Sequence, residues 1–276
     1  MHTAPKALVH EEIAPAIKET VVEHLPSGPA SVRANFGQFR SWKIITPDNA
    51  SSPTANEFRA IKRKLLPMTR EAESDANTLN RIMITSALPD EGKTFVAVNL
   101  AMSLSSERNL QVLLIDADVV RPSVPQFFTG ATESGLTDLL TGRCSSIRDI
   151  VRPCADVPNL SVIFSGKHED NSPELFASDK MEKLCQELSA ENPNRILIFD
   201  APPALAAAEP TALAIHMHHV LMVAAADQPS RTEIEEAISR VSACPRMQLI
   251  FNKSPLWRQT ANSKYSYYYR KDATAD

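Results

Sequence analysis

The feature that most constrains this chain is the loop Ser86-Ala87-Leu88-Pro89-Asp90-Glu91-Gly92-Lys93-Thr94, set between the apolar run Arg81 to Thr85 and a helical stretch from Lys93 to Ser106. Strand, loop, Gly-Lys-Thr and helix in that order build a phosphate cradle. Successive backbone N–H groups and the positive end of the helix dipole converge on an anion, and a lysine adds a point charge. The pattern predicts that Pro89, Asp90, Glu91 and Gly92 line the cradle, that Lys93 reaches the β and γ phosphates of ATP, and that the Thr94 hydroxyl ligates Mg²⁺. The general spacing GxxxxGK[ST] asks for glycine where this chain has Ala87. A tight strand-to-helix turn with a chance lysine would look the same locally, so the rest of the chain has to decide.

From residue 80 onward, short apolar strands alternate with helical stretches, the rhythm of a mostly parallel sheet flanked by helices in an α/β fold. Strands are expected at Arg81 to Thr85, Val112 to Asp116, Leu160 to Phe164, Ile196 to Asp200, Val220 to Ala224 and Gln248 to Asn252. Helices are expected at Lys93 to Ser106, Pro173 to Glu191, Pro210 to His216 and Arg231 to Val241. Ahead of the core, Phe58, Ile61, Leu65 and Leu66 recur at helical spacing among Arg59, Lys62, Arg63 and Lys64, which predicts a basic amphipathic helix. Residues 1–52, rich in Pro, Ala and Ser, read as a partly disordered arm in which Glu11 to Leu25 has helical character. Residues 53–255 read as the catalytic domain and 256–276 as a flexible, Tyr-rich tail.

Two of the expected strands end in acids. Val112 to Ile115 leads into Asp116-Ala117-Asp118, with Arg121 close behind, and Ile196 to Phe199 leads into Asp200-Ala201-Pro202-Pro203. Residues i and i+2 share one face of an extended strand, so Asp116 and Asp118 can address one ion. Ligands of open α/β sheets sit at the carboxyl ends of the strands. Mg²⁺ takes hard oxygen ligands and keeps several waters, so a Thr hydroxyl, phosphate oxygens and one or two carboxylates form a sensible shell. Any one of these acids alone could merely cap a helix.

All four tyrosines fall within five positions, Tyr265, Tyr267, Tyr268 and Tyr269. A phenol on a mobile tail can accept a phosphoryl group, whereas a core segment would bury its rings. The net charge of −4 argues against a nucleic-acid partner. No apolar run approaches the roughly 20 residues that span a bilayer, and the first residues lack the apolar stretch of a secretory signal, so a cytoplasmic protein is expected. Cys144, Cys154, Cys185 and Cys244 are far apart, which points to no metal or redox site. His216, His218 and His219 fit a helix-to-strand turn better than a metal site.

Taken together, these residues resemble the bacterial tyrosine autokinases, most closely those encoded with exopolysaccharide and exosortase (PEP-CTERM) loci. The resemblance covers about residues 54–269. The family's Walker A loop, SxxPxxGK[ST], is matched by Ser86, Pro89, Gly92, Lys93 and Thr94, which makes Ala87 ordinary there. Its Walker A′ strand is matched by Asp116, Asp118 and Arg121, and its Walker B strand by Asp200, Pro202 and Pro203. Asn171 to Leu175 is similar to an NPxELL stretch of the family. Glu57 to Arg63 looks like the basic helix through which relatives dock into rings, with Asn56 and Lys62 departing from the commoner ExxRxxR form.

The resemblance implies a P-loop NTPase fold of the MinD/ParA kind and an ATP- and Mg²⁺-dependent autokinase whose acceptors are the tail tyrosines. Asp116 would accept the tyrosine proton or ligate the metal, Asp118 and Asp200 would hold Mg²⁺, and Asn252 stands where related ATPases contact adenine. A membrane polysaccharide co-polymerase would be the activator, and a homo-oligomeric ring the assembly. Two rivals are a MinD- or ParA-like ATPase switch and a catalytically idle nucleotide-binding adaptor. The switch proteins usually carry an extra lysine where this chain has Leu88.

Overall fold

In the computed structural model, which describes residues 31–70, 79–226 and 228–254, the elements follow one another as β1 (Arg33–Ala34), α1 (Phe36–Ser41), α2 (Pro53–Arg70), β2 (Arg81–Ser86), α3 (Lys93–Ser105), β3 (Gln111–Asp116), β4 (Phe128–Thr129), α4 (Leu136–Thr141), β5 (Arg152–Pro153), β6 (Leu160–Ile163), α5 (Ser172–Phe176), α6 (Asp179–Glu191), β7 (Arg195–Asp200), α7 (Glu209–Ala214), β8 (His219–Ala225), α8 (Arg231–Arg240) and β9 (Met247–Asn252). The main sheet runs β5-β6-β3-β7-β2-β8-β9. Its pairs are parallel except β5 with β6. The six long strands expected from the sequence are all present, with ends shifted by a residue at most.

Alternation along each strand fills two cores. Ile82 and Ile84, Val112 and Leu114, Ile196 and Ile198, and Leu221 and Val223 pack on the face covered by α2 and α3. Met83, Leu113 and Ile115, Leu197 and Phe199, and Val220 and Met222 pack on the other, with residues of α4, α6, α7 and α8. Strands buried on both faces read as unbroken apolar runs, which is why they stand out in the sequence.

Two expectations are corrected. The helix expected from Pro173 to Glu191 is two helices. Ser178 has extended backbone (φ −78°, ψ 157°) and its hydroxyl accepts the Met181 N–H, so it caps α6 and ends α5. The boundary at residue 52 also fails for residues 31–52, which are packed into the domain. Val32, Phe39 and Ile44 are buried in the α3-side core, β1 pairs with β4, and Phe39 meets Phe127 and Phe128 edge to face. Glu11 to Leu25 and the tail tyrosines lie outside the described residues.

The amphipathic α2 forms as expected, laying Ala55, Phe58 and Leu65 against the core. Lys62, set by the family comparison at a ring-docking position, is instead turned into its own subunit. Its Nζ donates to Ser103 O (3.1 Å) and pairs with Glu107 (2.6 Å), at the C-terminal end of α3.

Candidate active site

The phosphate loop leaves β2, an inner strand of the sheet, and ends at Gly92, which caps α3 in a left-handed conformation (φ 94°). A side chain there would be strained, and its Cβ would overlap Asn252 Nδ2. Ala87 needs no glycine, because the positive-φ residues of this loop are Asp90 and Gly92 alone. Its methyl group is buried in the core instead.

The loop is braced on the side of β8 and β9. Asn252 Nδ2 donates to Glu91 O (2.8 Å), Gln228 Nε2 donates to Pro89 O (3.2 Å), and the Lys253 ammonium donates to Asp90 O. The Glu91 side chain is fully buried. Its two oxygens accept the N–H groups of Leu88 (2.6 Å) and Ala225 (3.1 Å). Glu91 and Asn252, singled out as nucleotide contacts, therefore spend their side chains on the loop itself. Gln228 and Lys253 were missed as braces; nothing in a sequence marks which side chain will reach a loop carbonyl. Glu91 could have been found, since an acid inside an anion-binding loop has to be neutralised by something nearby.

The acids arrive from the neighbouring strands. Asp116 and Asp200 are register partners at the ends of β3 and β7, and β7 pairs in turn with β2. The connections are laced together: Ala117 N donates to Asp200 O (2.9 Å), Ala201 N to Ile84 O (2.9 Å), and Thr85 Oγ1 to Pro202 O (2.6 Å). Lys93 Nζ pairs with Asp118 Oδ2 at 2.7 Å, and both side chains are largely buried. Asp118 Oδ1 accepts the Arg121 N–H (2.9 Å), while Asp116 accepts the N–H groups of Asp118 (3.1 Å) and Val124 (3.2 Å). The structure thus brings Lys93, Thr94, Asp116, Asp118 and Asp200 to one sheet edge and leaves the Arg121 side chain exposed beside them.

Three of these groups are electrostatically displaced. Burial, reinforced by the charge of Asp200, pushes the Asp116 carboxyl well above the usual aspartate range. Burial also raises Asp200, against the pull of Lys93 and the Thr94 hydroxyl. Burial alone would depress the Lys93 ammonium, but Asp200, Asp118 and Asp116 together hold it above its ordinary value. Both Asp200 oxygens are buried without a hydrogen bond that meets ordinary geometry. A carboxylate in that condition is what a cation site offers before its ion arrives. Among the described residues no three His, Cys, Asp or Glu side chains form a ready-made metal cage. A hydroxyl and carboxylates are hard oxygen donors, which suit a hydrated ion carried in on phosphate oxygens.

Two of the three clustered histidines are taken up by backbone contacts. His216 Nε2 lies 2.8 Å from Phe176 O, and His218 Nδ1 accepts the Arg81 N–H at 3.2 Å. Burial, with Arg81 nearby, pushes His218 down to about 4.

A family model described as ParA, NUBPL iron-transfer P-loop NTPase, matches residues 77–273. The chain is 30% identical to the tyrosine-protein kinase YwqD of Bacillus subtilis over 88% of its own length and 98% of that protein. It is 33% identical to the tyrosine-protein kinase ptk of Acinetobacter johnsonii over 58% of its length, but spans only 21% of that longer relative. The kinase domain of Escherichia coli tyrosine kinase Etk superposes with a TM-score of 0.65 at 27% identity, covering 82% of this chain and 89% of that domain. With an acid-lined phosphate loop on a ParA-type sheet and a match to nearly the whole of YwqD, the chain belongs to the bacterial tyrosine-protein kinases.

Proposed function

We propose that this chain is an ATP-dependent autokinase that phosphorylates Tyr265, Tyr267, Tyr268 and Tyr269 of its own tail and so regulates exopolysaccharide synthesis or export. The observation that carries the reading is the meeting of Lys93 with three acids from two adjacent strands at the mouth of the phosphate loop. Phosphoryl transfer asks a protein mainly for positioning and charge neutralisation, and this arrangement offers both.

In this reading the backbone N–H groups from Asp90 to Thr94 receive the phosphates of ATP, with the positive end of α3 behind them. Lys93 exchanges its bond to Asp118 for phosphate oxygens, and the exposed Arg121 covers the outer phosphate. Thr94, Asp118 and Asp200 would hold Mg²⁺, which supplies further neutralisation of phosphate charge when bound. The raised Asp116 carboxyl is suited to take the tyrosine proton on a carboxylate oxygen, since a base works best when its pKa approaches the working pH. Adenine contact by Asn252 would use the amide oxygen, its nitrogen being committed to Glu91.

A cytoplasmic location, recruitment by a membrane polysaccharide co-polymerase and a homo-oligomeric ring complete the proposal. Among the described residues no helix is long and apolar enough to cross a membrane, which is compatible with recruitment by a partner. The inward Lys62 removes one expected docking contact, so Arg59 and Arg63 would have to carry a ring interface.

The test is incubation of the purified chain with Mg·ATP and mass-spectrometric mapping of phosphate, beside Lys93→Met and a variant with all four tail tyrosines changed to Phe. Phosphotyrosine at 265–269 that disappears in Lys93→Met is expected. Hydrolysis without protein phosphate would replace the kinase by a switch, and nucleotide binding with neither would replace it by an adaptor.

A further inference from the structure

Glu91 places a fully buried carboxylate inside a loop whose task is to receive a tetra-anionic ligand. An acid there repels that ligand unless its charge is spent elsewhere. Both its oxygens are so spent, one on Leu88 N within the loop and the other on Ala225 N at the end of β8. The carboxylate is therefore a strut that carries the contact of β2 with β8 past its last register pair, Ser86 with Val223, into the loop. The Glu91 carbonyl is held at the same time by Asn252 at the end of β9. The N–H groups of Leu88 and Ala225 are both taken up by Glu91.

We infer that Glu91 is a positioning residue for nucleotide: its carboxylate fixes the phosphate loop to the β8 end in the shape that ATP binds, without itself touching the ligand. The inference rests on the ATP-binding reading above. Preorganisation of this kind acts on affinity, because an unlatched loop must be ordered anew each time the ligand binds. Neither Gln nor Ala can replace the strut in full. Glutamine offers one acceptor oxygen and turns an NH₂ group against the second N–H donor, and alanine offers neither.

The experiment is calorimetric titration of the full chain with Mg·ATP, together with thermal unfolding in the absence of nucleotide, for wild type, Glu91→Gln, Glu91→Ala and Lys62→Met. Lys62→Met serves as the control, since it removes a largely buried lysine and its ion pair at the far end of α3. Glu91→Ala is expected to weaken ATP binding by about tenfold or more, with Glu91→Gln intermediate. Lys62→Met is expected to lower the unfolding temperature while keeping the wild-type Kd. If Glu91→Ala does not fold, the ordering of wild type, Glu91→Gln and Lys62→Met decides alone. Wild-type affinity in a folded Glu91 variant would overturn the inference. So would an affinity loss in Lys62→Met equal to that in the Glu91 variant at the same loss of stability. A wild-type chain that binds no ATP would instead bring down the functional reading, and this inference with it.

Discussion

Helix α3 carries a largely buried lysine paired with an acid at each end, and the two pairs are built on opposite electrostatic logic. At the C-terminus, Lys62 meets the negative end of the helix dipole, donates to Ser103 O and is balanced by the half-exposed Glu107. At the N-terminus, Lys93 is placed at the positive end, where the dipole repels it, and is retained by Asp118 and by acids that burial has pushed upward. The first pair completes a helix. The second is a set of groups whose charges balance poorly until an anion and a cation join them, which is how a binding site differs from a structural contact.

The sharpest way to break the comparison is Gly92→Ala. It forces a side chain into a left-handed conformation and against Asn252 at the N-terminal end only. ATP affinity is expected to fall on the order of a hundredfold, measured by calorimetry, because the amides that receive phosphate are displaced. Next in size is Lys62→Met at the other end. Chemical denaturation is expected to show a loss of about 1–2 kcal/mol from the missing cap and hydrogen bond. If Lys62→Met weakened ATP binding as strongly as Gly92→Ala, the two ends would not be separable and the distinction would fall.

The contrast also explains what could be read from the sequence. β2, β3, β7 and β8 are buried on both faces, so their apolar runs stand out, and the site's acids sit at strand ends where sequence position alone locates them. Asp116 and Asp200 could be placed at the same edge before any coordinates, although not as register partners. The segment from Val119 to Asn159 gave no strand or helix signal, since β4, α4 and β5 are short and held by contacts distant in sequence, such as Phe39 against Phe127 and Phe128. Residues 31–52 were misread for the same reason: Pro- and Ser-rich composition describes local preference, while Val32, Phe39 and Ile44 are fixed by what they pack against. The inward turn of Lys62 and the brace formed by Glu91 depend on partners that spacing does not reveal.

The smallest expected effect has the opposite sign and tests the electrostatic half of the comparison directly. Asp200 is buried with its pKa raised, chiefly by burial, above the ordinary 3.8. A group whose folded pKa is raised contributes stability that is complete below its unfolded pKa and is lost as pH climbs through the folded value. Above its unfolded pKa, Asp200 therefore costs the ligand-free wild type stability. Asp200→Asn removes that charge while the Lys93–Asp118 pair remains. The variant is expected to be more stable than wild type by about 1 kcal/mol at pH 7, while losing phosphoryl transfer. The gap should close as pH falls through the raised folded pKa of Asp200 to the ordinary 3.8, below which the side chain is protonated in both the folded and the unfolded chain. Titration of His218, pushed down to about 4, destabilises both proteins alike on acidification and cancels in the difference. A variant less stable than wild type at pH 7, or a difference independent of pH, would show that the N-terminal end of α3 is as well balanced without ligand as the C-terminal end.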